Sequence, residues 1–211
     1  MQSTQRIAFL LALLLTGCKP MHAVPGQTDA DGDPLYRKNP RPTQAYRITM
    51  TIEDAPGPFG YISGTAFYDM TNHEQCTPME PIEGVWSKSK EDGIPMVFQK
   101  LDASTYVATI HADGMVDADY YGMGICRFEL SGVGITLKAT GRHEETRFQP
   151  ALFKNELHSK AAVVTYFWKG RYPKEDMDDF PDTGERILDH FNEEARHNVF
   201  KVTLTSESVI P

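Results

Sequence analysis

Beyond residue 44 the chain alternates between apolar and polar side chains. In "AYRITMTIE" (45–53), Tyr46, Ile48, Met50 and Ile52 share one face and Arg47, Thr49 and Thr51 the other. A period of two predicts a half-buried strand. "DAPGPFG" interrupts it and "YISGTAFYD" resumes it, which predicts a hairpin with a long loop. "IPMVFQKL" and "STYVATIHA" predict a second pair around "DAS", and "ICRFEL" and "VGITLKAT" a third around a turn at Ser131-Gly132. "AAVVTYFWKG" is an unbroken apolar run, as expected of a central strand with Trp168 in the core. "VFKVTLTSES" alternates again and forms the last strand.

One segment has another period. "TGERILDHFNEEARH" places Ile187, Leu188, Phe191 and Ala195 at helical spacing, with Thr183 as candidate cap. It predicts an amphipathic helix lying on the sheet before the last strand. Eight or so short strands and this helix define a mainly β fold, an antiparallel β-sandwich or barrel with one C-terminal amphipathic helix.

The N-terminus reads differently. "RIAFLLALLLTGCKP" (6–20) holds an apolar run from 7 to 15 behind a single cation, Arg6. As a helix that run is about 13 Å long, against about 30 Å for a bilayer core, so the run matches a signal peptide rather than a span. Leu15-Thr16-Gly17-Cys18 resembles the lipobox of bacterial lipoprotein precursors. The resemblance implies cleavage before Cys18, a diacylglyceryl thioether on its sulfur and a third acyl chain on its amine. With Lys19 rather than Asp next, it also implies an outer-membrane lipoprotein facing the periplasm. Several acyl chains anchor stably where one does not. The plainer alternative is an ordinary signal peptide with an accidental cysteine.

The expected organisation is therefore a signal peptide over 1–17, a disordered tether over 18–44 and a single β-rich domain over 45–211. The tether is rich in Pro, Gly, Asp, Asn and Arg. Within it "DADGD" imitates the opening of a calcium loop, but Pro34 and Pro40 stand where glycine and a bidentate glutamate are required.

Charge and cysteines narrow the class. Loss of residues 1–17 removes Arg6 and leaves 20 cationic against 29 acidic side chains, a net of −9. That argues against nucleic acid and anionic lipid surfaces and favours a basic protein partner. With Cys18 assigned to lipid, Cys76 and Cys126 remain as an even pair in an oxidising compartment, and a disulfide is expected.

No enzyme template fits. There is no His-Glu-x-x-His string, no Gly-x-Ser-x-Gly elbow and no phosphate-cradling glycine loop with its lysine. "HEE" at 143–145 falls in an expected solvated turn. No metal ligand set and no cofactor motif is visible. The expectation is a non-enzyme, with a hydrolase using two carboxylates as the remote alternative.

Two segments suit a protein partner better. "DADYYGMGIC" carries Tyr120, Tyr121 and Met123 beside the disulfide cysteine. Tyrosine rings bury area at little entropic cost, although an edge strand with one ring in and one out fits as well. "RYPKEDMDDFPD" sets Asp176, Asp178 and Asp179 around Met177 and Phe180 between Pro173 and Pro181. It could reach into a basic cleft, or serve as a solvated connection with Phe180 packed beneath.

The run "GICRFELSGVGITLKATG…ETRF" followed by "TYFWKGRYP…MDDFPD" resembles small immunity lipoproteins of antibacterial effector systems. That resemblance implies a periplasm-facing inhibitor that blocks a basic secreted effector or envelope hydrolase by occlusion. An envelope assembly or scaffold lipoprotein is the alternative.

Overall fold

A computed structural model describes residues 27–30 and 32–209. The signal peptide and Cys18 lie outside the described residues. Among the described residues eleven strands form: β1 (Ala45–Glu53), β2 (Tyr61–Met70), β3 (Glu91–Met96), β4 (Gln99–Lys100), β5 (Thr105–His111), β6 (Phe128–Lys138), β7 (Arg147–Phe148), β8 (Ala151–Phe153), β9 (Val163–Trp168), β10 (Pro181–Asp182) and β11 (Val199–Val209). They form two sheets. One runs in the order β4-β5-β1-β11-β9; the other runs β10-β7-β6-β2-β3, with β8 also on β6. All neighbours are antiparallel except β10 on β7. The result is a mainly β, sandwich-like fold and not a closed barrel.

The alternation read from the sequence decides which side chains meet between the sheets. Ile48, Met50 and Ile52 of β1 and Val202 and Leu204 of β11 face Ala66 and Tyr68 of β2 and Leu130, Val133, Ile135 and Leu137 of β6. At one end Phe148, Phe167 and Phe200 pack ring on ring, with centroids 5.1–5.5 Å apart. Each such ring contributes about 2–3 kcal/mol by burial. Tyr68 lies wholly inside and its hydroxyl donates to the His111 carbonyl at 2.6 Å.

Several expectations are corrected. Ser131-Gly132 is not a turn: β6 runs straight through it, and Ser131 is the extra residue of a bulge, since Phe67 faces Gly132 and Tyr68 faces Leu130. The "IPMVFQKL" segment is not one strand. Residues 94–96 end β3 in one sheet, and Gln99–Lys100 pairs with β5 in the other. β9 is an edge strand rather than a central one, and Trp168 is half-buried on its outer face, against Gly170.

The expected amphipathic helix is replaced by a 3-10 turn, Leu188–His190, and a one-turn helix, α3 (Glu193–Arg196). Asn192, not Thr183, caps α3, accepting from the Ala195 amide at 2.8 Å. One turn each is what survives because Leu188 is not buried and the segment has no core face to dock on. Two short helices were not expected: α1 (His73–Cys76) and α2 (Lys154–Ser159), the latter burying Leu157.

Residues 36–44, assigned by composition to a tether, lie against the domain. Asn39 donates to the carbonyls of Gly114 and Asp113, at 2.7 Å each. The Asp113 carboxylate accepts from the Thr43 amide and hydroxyl and the Gln44 amide at 2.8–3.0 Å. Burial alone would raise the Asp113 pKa, but these donors win and hold it below its ordinary value. Polarity was a poor guide here because a segment can be fixed by backbone and carboxylate hydrogen bonds without a buried apolar face.

Candidate functional site

The two segments expected to meet a partner lie at opposite ends of β6. The tyrosine segment packs where β6 begins, at Phe128, and the acidic loop where it ends, at Lys138. The 11-residue strand sets them roughly 33 Å apart.

At the first end, Cys76 and Cys126 form a disulfide with Cα atoms 5.3 Å apart. It ties the 71–90 excursion to the start of β6. Met70 is buried beside it, and Tyr36, Tyr120, Tyr121 and Phe128 close over it. The tyrosines mostly serve the fold. Tyr120 donates to the Val116 carbonyl at 2.7 Å and accepts from the Arg37 amide at 3.1 Å. Tyr121 bonds Tyr36 through their hydroxyls at 2.9 Å. Burial raises the pKa of both Tyr36 and Tyr121. Met123 and Ile125 are the exposed members, on a loop that turns through positive φ at Gly122 and Gly124. Trp86 is half-buried within the excursion and belongs to neither core cluster.

At the second end, residues 171–182 leave β9 through a 3-10 turn, Lys169–Arg171, and a cis Tyr172–Pro173 bond. Both feet are clamped. The Thr146 amide donates to Pro173, the Arg147 amide to Phe180 and the Gln149 amide to Asp182. Arg171 holds Glu175 at 3.1 Å and the buried Asp182 at 3.0 Å, and its guanidinium lies 4.9 Å from the Phe180 ring centre. Asp179 adopts a left-handed φ of 54°. Its carboxylate binds Lys138 at 3.1 Å and Arg147 at 3.0 Å, with His143 at 3.9 Å. The Lys138 hydrogen bond, the Lys138 charge and then Arg147 pull its pKa down.

Asp179 and Phe180 are therefore turned into the domain, and the clamp presents Asp176, Met177 and Asp178 outward. Met177 is 64% exposed. Asp178 makes only a loose 3.6 Å pair with Lys174.

The supports of this loop escaped the sequence reading. Glu145, expected in a solvated turn, is buried and accepts from the Thr140 hydroxyl and from the amides of Thr140 at 2.8 Å and Gly141 at 2.9 Å. Burial opposes its ionisation, yet these donors keep its pKa low. Lys138, almost inaccessible, bonds the Arg142 and His143 carbonyls besides Asp179. The sequence carried no signal of this: in "ITLKA" Lys138 takes the polar position of the alternation, and its partners come from the loop and from residues 142–143. Among the described residues no group of three or more His, Cys, Asp or Glu is placed to hold a metal ion.

Compared with known proteins, the chain matches no family model, no curated sequence and no solved structure.

Proposed function

We propose that this chain is a lipid-anchored binding protein of the bacterial envelope, an immunity or inhibitor lipoprotein that occludes a basic envelope-targeting toxin or hydrolase. The observation that carries the reading is the 171–182 loop: both feet are fixed by ion pairs and backbone bonds, and an exposed methionine is held between two exposed carboxylates. Pre-organisation of that kind lowers the entropic cost of association, and the carboxylates favour a cationic cleft. The chain first meets the domain at Asp33, paired with Lys88 at 2.7 Å, and at Tyr36 on the disulfide cluster, so the lead from Cys18 joins at the end of β6 away from this loop. The Asp102, Asp113, Glu145 and Asp179 carboxyls are each held below their ordinary pKa by hydrogen-bond donors of the domain itself.

Anchor and grip are tested separately. Radiolabelled palmitate should enter the wild type and not Cys18→Ala; a wild type without label removes the envelope anchor. The full-length chain in detergent, used as bait on secreted and envelope fractions, should recover a basic hydrolase and inhibit it. Asp176→Lys with Asp178→Lys should weaken that complex about tenfold at low salt and by less at high salt. Recovery of envelope machinery with no inhibited activity would favour the scaffold alternative.

A further inference from the structure

The outer face of the β2–β3–β6 sheet is built unlike an ordinary solvent face. Successive outward positions of β2 are Thr65, Phe67 and Asp69, because Ala66, Tyr68 and Met70 point in. Phe67 stands opposite Gly93 on one neighbouring strand and Gly132 on the other. A Cβ on Gly134 would lie 3.1 Å from its ring, so the ring leans over a floor without side chains. Phe153, on β8, rises on the far side of that floor. Phe67 is 42% exposed and Phe153 64% exposed, and between them runs a shallow groove of about 400 Å³. No element of the described chain covers it.

The rim of the groove determines what could fill it. Asp69 pairs in register with Glu91 on one side and with Glu129 on the other, which puts three exposed carboxylates in one row across three strands. Among the described residues only Lys154 forms an ion pair with them, at 2.7 Å from Glu129. Like charges directly opposite across strands destabilise a sheet. Aromatic faces over an acidic rim match a chain whose side chains alternate between aliphatic and cationic: stems and guanidinium planes on the rings, charged heads on the carboxylates.

We infer that this groove is a docking site for an extended, Arg/Lys-bearing segment of a protein partner, distinct from the 171–182 loop. The proposal rests on the binding-protein reading only for who the partner is; the groove's chemistry is tested without it. The full-length chain in detergent micelles is titrated against fluorescein-labelled Ac-(Arg-Leu)4 and Ac-(Glu-Leu)4 and followed by anisotropy. The cationic peptide should bind and the acidic one should not. Phe67→Ser and Phe153→Ser should each weaken binding about fivefold or more at any salt. Asp69→Asn with Glu91→Gln should do so at low salt and less at high salt. Asp176→Asn with Asp178→Asn should leave peptide binding unchanged. Unaltered melting temperatures check that the surface variants stay folded.

Equal binding of both peptides, or wild-type affinity in the two phenylalanine variants, overturns the groove. Loss of peptide binding in the loop variant overturns it too. A natural partner released by the loop variant but not by the groove variants leaves the binding-protein reading standing and removes the groove. A groove that binds the peptide in a chain with no inhibited partner does the reverse.

Discussion

The outer faces of the two sheets differ in how their cross-strand neighbours are matched. On the β1–β11 face Glu53 is opposite Lys201, with 3.1 Å between the charged atoms, and Arg47 is opposite Glu207. Thr49 is opposite Thr205 and Thr51 opposite Thr203. These are pairs of opposite charge and pairs of hydroxyl-bearing, β-branched side chains, the combinations that stabilise a sheet. On the β2–β6 face Asp69 stands between two glutamates, and Phe67 stands between two glycines. One face is optimised for its own sheet. The other gives up local stability, which is the pattern expected where surface is kept for something outside the chain.

Breaking the disulfide should have the largest effect and should fall on the second face alone. Cys76 and Cys126 sit where β2 ends and β6 begins, beside the acidic row. In the chain-entropy picture Cys76→Ser costs about 2–5 kcal/mol, read from the midpoint of urea unfolding. Hydrogen exchange should rise over 71–90 and at the start of β6 while the β1–β11 ladder stays protected well below the unfolding midpoint. Equal loss of protection in both sheets would show that the two faces share one cooperative fate.

The glycine floor is the next largest lever. A Cβ on Gly132 would come 2.8 Å from the Leu152 carbonyl oxygen, a backbone atom that cannot swing aside. Gly132→Ala should therefore cost about 1–3 kcal/mol by overpacking, measured in the same unfolding series. At Gly134 the obstacle is the movable Phe67 ring, so Gly134→Ala should cost less and shift the ring instead. If the two alanines cost the same, the close approach of β8 is not what demands glycine at 132.

How far this contrast was legible in the sequence follows from the same residues. Strands β1 and β11 announce themselves by alternation, and in β1 the expected face supplies the buried Ile48, Met50 and Ile52. The disulfide followed from counting. What the sequence concealed was pairing. "ELSGVGITL" contains a serine and two glycines, the composition of a turn, and only the bulge opposite Phe67 shows that it is one strand with a bare outer face. Splitting it hid the neighbours of Phe67 and Asp69. The acidic loop was visible as a Pro-bounded segment, but its inward half was not: Asp179 looks like Asp176 and Asp178 until Lys138 and Arg147 are brought to it from other strands. The helical period at 187–195 misled because periodicity reports a possible face, and no core surface is there to receive it.

The smallest effects test the charge matching directly. Asp69→Lys places a cation between Glu91 and Glu129 and should stabilise the domain by about 0.2–1 kcal/mol. Lys201→Glu places an acid against Glu53 on the matched face and should destabilise by a similar amount; both pairs are exposed, so screening keeps the values near the low end. The two positions share no partner and lie on opposite outer faces, so the double variant should return close to wild-type stability. Measured at low salt by chemical unfolding, opposite signs that shrink together as salt is added would locate the difference in electrostatics. Two changes of the same sign would mean that the acidic row is already relieved within the chain, and the β2–β6 face would then lose its claim to be held in an unfavourable state for a partner.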